Sequence, residues 1–157
     1  MTRPRLVVFA KYPRAGEVKT RLIPAIGAEG AAGIARTLFG RTVSEGVRAA
    51  ALLGMDLEVR GAGASEVAFR ALHPGPWSFA GQGDGDLGER LARSCADAAA
   101  SGAPAVLLVG TDCPDLDASV CAAALTALET SGVALAPAAD GGYVLLGLRP
   151  GEIPEFE

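Results

Sequence analysis

Six short strand-like runs, at residues 6–10, 56–60, 77–80, 105–109, 133–136 and 143–148, recur along a chain of 157 residues, with helical patterns filling most of the gaps between them. A strand, a helical crossover and a further strand form the repeating unit of a parallel sheet. The alternation therefore predicts an α/β fold, a three-layer α/β/α sandwich around a mostly parallel central sheet. Between the first two runs, Ala35, Leu38, Phe39, Thr42, Val43, Gly46, Val47 and Ala50 fall at helical spacing and give one apolar stripe to lie on that sheet, and Gly54 ends the helix. Half of the residues are hydrophobic but only 5% are aromatic, a composition that suits close packing of helix on sheet. The length fits one domain with a real core.

Local signals place the remaining elements. Ser65 caps a short helix through Leu72, which the cluster His73-Pro74-Gly75-Pro76 stops. Gly61-Ala62-Gly63 lacks the third glycine of a dinucleotide turn and reads as an ordinary turn. Asp86-Leu87-Gly88-Glu89 has the form of a capping box opening a helix to about Ser101, with Leu87, Leu91, Cys95 and Ala98 as its apolar face and Gly102 after its last turn. Asp117 caps the next helix, with Val120, Ala124, Leu125 and Leu128 inward and Gly132 closing it. Asp140-Gly141-Gly142 separates two apolar strands as a tight turn.

Composition narrows the functional classes. A net charge of −4 argues against a general nucleic-acid surface, although a local basic loop still suits one anionic ligand. Cys95, Cys113 and Cys121 show no Cys-x-x-Cys spacing and read as reduced thiols. The apolar stretches fall short of a membrane span and no charged-then-apolar leader opens the chain, so a cytoplasmic protein is expected. His73 is the only histidine, which leaves a Ser-His-Asp triad little support.

Chemistry concentrates in loops that follow strands. Immediately after the first apolar run, Lys11, Arg14, Lys19 and Arg21 occupy one segment, and Pro13 and Gly16 mark it as irregular backbone in which cations can converge on a small anion such as a diphosphate. The plainer alternative is a solvated basic loop. A Walker A loop is excluded, because Val18 stands where glycine must precede the lysine. The segment from Gln82 to Arg90, which includes Gly88, is a second glycine-rich loop opening a helix, where anions are favoured. Its acids Asp84 and Asp86 make contact with a base or ribose as plausible as contact with phosphate.

Gly110-Thr111-Asp112-Cys113-Pro114-Asp115 follows the most apolar run, at 105–109. A carboxylate there faces the ligand crevice of an open α/β sheet and can hold a hard cation that neutralises a leaving diphosphate. Asp112 is the first candidate, as both metal ligand and catalytic acid, and Asp140 the second. Mg2+ suits one or two carboxylates plus phosphate oxygens and water, and Mn2+ would serve equally. The competing roles are turn initiation for Asp112 and Asp140 and helix capping for Asp115 and Asp117.

Three segments taken together, Phe9-Ala10-Lys11 through Lys19-Thr20-Arg21-Leu22, Gly83 through Leu91, and Gly110-Thr111-Asp112-Cys113-Pro114 with Asp140-Gly141-Gly142-Tyr143, resemble the DUF2064 family of bacterial glycosyltransferase-like proteins. The resemblance spans nearly the whole chain. It implies a GT-A fold of the nucleotide-diphospho-sugar transferase superfamily, with Lys11, Gly16, Lys19, Thr20 and Arg21 in the phosphate loop and Asp112 as the metal-binding acid. It also implies a nucleoside-diphosphate sugar donor and an acceptor that is not named. Nucleotidylyl transfer with release of pyrophosphate, and a non-catalytic nucleotide-binding module, are the alternatives. The chain is expected to be one domain over 1–157, shortened at Pro154-Glu155-Phe156-Glu157, where family members continue.

Overall fold

The structure is a computed structural model that describes residues 2–139 and 141–150. Six strands form one sheet: β1 (Arg5–Lys11), β2 (Asp56–Ala62), β3 (Ser78–Gly81), β4 (Val106–Val109), β5 (Val133–Pro137) and β6 (Tyr143–Leu148). Their spatial order is β3-β2-β1-β4-β6-β5. β3, β2, β1 and β4 are mutually parallel, β6 is antiparallel to β4, and β5 is antiparallel to β6 and so runs with the rest. The predicted mostly parallel α/β sheet is present.

Among the described residues four α-helices complete the layers: α1 (Ile23–Leu53), α2 (Glu66–Leu72), α3 (Leu87–Ala100) and α4 (Ala118–Leu128). The two-residue period of β1 divides the core. Leu6, Val8 and Ala10 pack with Phe39 and Val43 of α1, Phe69 of α2 and Cys121, Ala124 and Leu128 of α4. Val7 faces the other way, onto Leu91, Cys95 and Ala98 of α3. The predicted stripe of α1 buries Phe39, Thr42, Val43 and Gly46, and Gly54 ends the helix at φ 68°. The helix starts earlier than its stripe implies and is interrupted at Gly27, whose φ of 79° is non-helical.

Three local expectations are corrected. Gly61 and Ala62 belong to β2 rather than to a turn. A Cβ at Gly61 would come within 2.6 Å of Phe69 and 2.7 Å of Phe79, so this glycine lets two rings close on the strand. Leu87 is 63% exposed and is not part of the buried face of α3, which is Leu91, Ser94, Cys95 and Ala98. α4 ends at Leu128 with Glu129 as its cap, short of Gly132.

The topology positions the site. β1 leads through α1 to β2 on one side, whereas β3 leads through α3 to β4 on the other side of β1. The chain order therefore reverses between β1 and β4, and in open α/β sheets such a switch point opens a crevice beyond the carboxyl ends of the strands. β1 and β4 pair only up to Val8 and Val109, after which β1 continues to Lys11 beside β2 alone.

Candidate functional site

The loop leaving β1 is braced by two of its own cations. Lys11 Nζ donates to the Glu17 carbonyl at 3.0 Å, and Arg14 donates to the Gly63 carbonyl at 2.9 Å while lying 5.1 Å from the Tyr12 ring centre. Val18 is buried and Gly16 takes φ 85° to close the bend. Lys11 and Arg14 thus shape the loop, and the four cations do not gather at one point. Lys19 does reach the crevice. It is the one non-glycine residue with positive φ among those described, at 50°, a conformation that costs a residue with a side chain roughly 1–2 kcal/mol. Thr20 and Arg21 follow in a single exposed 3₁₀ turn, Thr20–Leu22.

The ammonium of Lys19 pairs with the Asp112 carboxylate, 93 positions along the chain. Asp112 stands at the carboxyl end of β4 with its side chain 78% exposed. It lines a hollow of about 280 Å3 with Gly110, Cys113, Ala138, Gly142, Tyr143 and Val144. The first basic loop and the first candidate acid therefore meet above the switch point. Asp117 is a helix cap: it accepts from the Val120 N–H at 3.1 Å and from the Ser119 hydroxyl at 2.6 Å, and these bonds hold its pKa below the usual carboxylate range. Asp115 is exposed, and Asp140 lies outside the described residues.

On the other flank of β1, Gln82 is buried at the end of β3. Its amide donates to the carbonyls of Ala10 at 3.2 Å and Arg60 at 3.1 Å, and its side-chain oxygen accepts from Arg90 at 3.1 Å. Its amide hydrogens are thus turned inward, tying three strand ends together. Arg90 also donates to the Gly85 carbonyl at 2.9 Å and Arg93 to the Asp84 carbonyl at 3.0 Å, so two arginines of α3 clamp the loop that precedes it. Sequence reasoning missed this clamp, although the i, i+3 spacing of Arg90 and Arg93 on the helix is its signal. Gly88 sits in the first turn, and the predicted capping box of Asp86 and Glu89 is complete. Asp86→Ala is expected to lower stability by about 1 kcal/mol in a denaturant titration, the ordinary loss for an N-cap, with nucleotide affinity nearly unchanged.

Cys95 and Cys121 are buried free thiols. Burial pushes the Cys95 thiol up to about 11 against the lowering field of Arg60, and burial with the Asp117 charge does the same to Cys121. His73 Nε2 lies 3.2 Å from the Ser44 hydroxyl, away from the crevice. A larger hollow of about 500 Å3, lined by residues such as Arg3, Asp56 and Pro76, is at the amino ends of β1, β2 and β3, the opposite end of the strands from the crevice. No cluster of three His, Cys, Asp or Glu side chains able to hold a metal occurs among the described residues. The donor chemistry still fits Mg2+ or Mn2+. Such an ion takes one or two carboxylates and completes its shell with phosphate oxygens and water, and Asp112 offers a hard, exposed oxygen beside the basic loop.

Residues 47–157 match the family described as an uncharacterized protein conserved in bacteria, DUF2064. The chain belongs to this family. No curated protein sequence matches it. Among solved structures it is similar to a protein of Desulfovibrio desulfuricans G20 described, provisionally, as a nucleotide-diphospho-sugar transferase, at 33% identity and a TM-score of 0.81. The alignment covers 96% of this chain and 65% of that one, so the DUF2064 chain spans just under two thirds of that relative. It is also similar to 4-diphosphocytidyl-2C-methyl-D-erythritolsynthase of Anaerococcus prevotii DSM 20548, at 9% identity and TM-score 0.61, covering 96% of this chain and 72% of that one. For 2-C-methyl-D-erythritol 4-phosphate cytidylyltransferase of Thermus thermophilus the values are 19% and 0.50, with the same coverages. The last two likenesses establish the shared fold alone. The fold of this DUF2064 protein is that of the nucleotide-diphospho-sugar transferases and their nucleotidyltransferase-like neighbours. No helix among the described residues is long and apolar enough to cross a membrane.

Proposed function

We propose that this DUF2064 protein is a glycosyltransferase that takes a nucleoside-diphosphate sugar and uses Mg2+ or Mn2+ held at Asp112, with Asp140 as the second acid. The observation that supports the reading is the meeting of Lys19 and Asp112 above the gap between β1 and β4. A cation and a carboxylate delivered by separate loops to one crevice can serve the two parts of a metal-diphosphate group.

The loop from Gly16 to Arg21, braced by Lys11, receives the diphosphate. The Lys19 ammonium and the Arg21 guanidinium offset the charge that grows on the departing oxygen, and the Thr20 hydroxyl offers a further hydrogen bond. Preorganised charge of this kind is usually the largest catalytic contribution. The metal, when bound, adds Lewis acidity at the same phosphate oxygens. Gln82 and Gly88 set the nucleoside side of the crevice, Gln82 through the strand ends it ties together and Gly88 through the opening turn of α3.

Thermal unfolding with a panel of nucleoside diphosphates and nucleotide sugars, with and without Mn2+, tests the reading. Nucleotide and metal together are expected to stabilise more than either alone, and a ligand at roughly a hundredfold over its Kd stabilises by about 2.7 kcal/mol relative to the free protein. No stabilisation across a saturating panel would refute the donor site. Release of a nucleoside diphosphate from an activated sugar identifies glycosyl transfer. Pyrophosphate released from a nucleoside triphosphate would instead identify nucleotidylyl transfer, and binding without turnover would identify a nucleotide-binding module.

A further inference from the structure

We infer that Lys19 and a divalent metal compete for the Asp112 carboxylate, so that Lys19 covers the acid until a diphosphate draws the ammonium away and the metal enters with or after the diphosphate. This rests on the donor reading above and adds an order of binding to it.

The two partners are unequally placed. The Asp112 side chain is 78% exposed and open to an ion from solvent, whereas that of Lys19 is only 25% exposed and folded back across the crevice onto it. Lys19 is also the loop cation whose partner is a side chain across the crevice. Lys11 is bound to the Glu17 carbonyl and Arg14 to the Gly63 carbonyl, and neither can leave without opening the loop. The Lys19 backbone is held as well, because its carbonyl accepts from the Leu22 N–H at 2.9 Å. What remains free to turn is the four-carbon stem, which can carry the ammonium from Asp112 to a phosphate with the backbone in place. An ammonium and a divalent cation on one carboxylate repel each other, so each weakens the other's hold on it. A diphosphate resolves the competition by offering Lys19 an anion of higher charge and the metal additional oxygens.

Binding of Mn2+ alone, followed by loss of the free-ion signal in electron paramagnetic resonance, tests the exchange without any turnover. Lys19→Ala is expected to bind Mn2+ at least about threefold more tightly than the parent, the order of magnitude released when one exposed ion pair no longer has to be broken. Lys19→Arg should remain near the parent, and adding Asp112→Asn to Lys19→Ala should remove the gain. Arg21→Ala makes the same charge change on the same loop and should give a clearly smaller gain. Parent protein that binds Mn2+ through Asp112 while Lys19→Ala shows no gain, or a gain matched by Arg21→Ala, overturns the exchange and leaves the donor reading standing. Absence of Mn2+ binding in every variant, with and without a nucleoside diphosphate, overturns both.

Discussion

Asp112→Asn is expected to abolish the metal-dependent increment in nucleoside-diphosphate binding while metal-free binding is retained, tighter than that of the parent by no more than about threefold because Lys19 no longer has to leave a carboxylate. The substitution removes one charge at almost constant volume from an exposed position, so the fold has no reason to suffer. Transfer activity should fall with the metal-dependent increment. Lys19→Ala should do the opposite in calorimetry on folded protein: it weakens diphosphate binding even without metal, by about 1.5–3 kcal/mol, the value of a charge-assisted contact. Parent-like binding of nucleotide and metal by both variants would make Lys19 and Asp112 surface features and refute the site.

The largest expected loss of stability lies elsewhere, at Arg60. Its guanidinium is 2% exposed beneath α3, donating to Glu58 at 2.8 Å and Asp97 at 2.6 Å. Burial works against the charged form, but the hydrogen bonds and charges of Glu58 and Asp97 outweigh it and shift the pKa upward. Arg60→Met strands the buried Glu58 with only the longer contact to Arg5 at 3.4 Å and is expected to cost about 3 kcal/mol in urea unfolding. Adding Glu58→Leu should recover much of that loss, since a well-packed apolar pair replaces a buried ion pair at little cost. No recovery in the double variant would show that the guanidinium acts through packing rather than charge.

This cluster also shows why part of the molecule is hard to read from a sequence. Asp56, Glu58 and Arg60 alternate with Leu57 and Val59, the pattern of a strand with one face in water. Asp56 is exposed, but Glu58 and Arg60 are buried, and α3 supplies Asp97 to Arg60 from 37 positions away. The alternation was visible, but the partner that makes burial tolerable was not.

The candidate site divides in the same way. The β1 loop and Asp112 were legible as chemistry, because charged residues followed strong apolar runs and strand ends are where ligands of α/β sheets bind. Which cations serve the crevice was not legible. Lys11 and Arg14 are close in sequence to Lys19 but turn to backbone carbonyls of their own loop and of the loop after β2. Gln82, a candidate for nucleotide contact, has its amide bound to Ala10 and Arg60, carbonyls that become neighbours only when three strands are in register.

Residues a few positions apart suffice to specify the strand runs, the α1 stripe, the Asp86–Glu89 capping box, the Asp117 cap and the glycine stop at Gly54. These hold because periodicity, caps and left-handed turns are decided within one or two helical turns of chain. The return of β4 to the far side of β1, and hence the meeting of Lys19 with Asp112, is fixed by long-range packing. Strand order and the pairing of charges 93 positions apart depend on how helices pack across a whole sheet, and no local propensity encodes that choice.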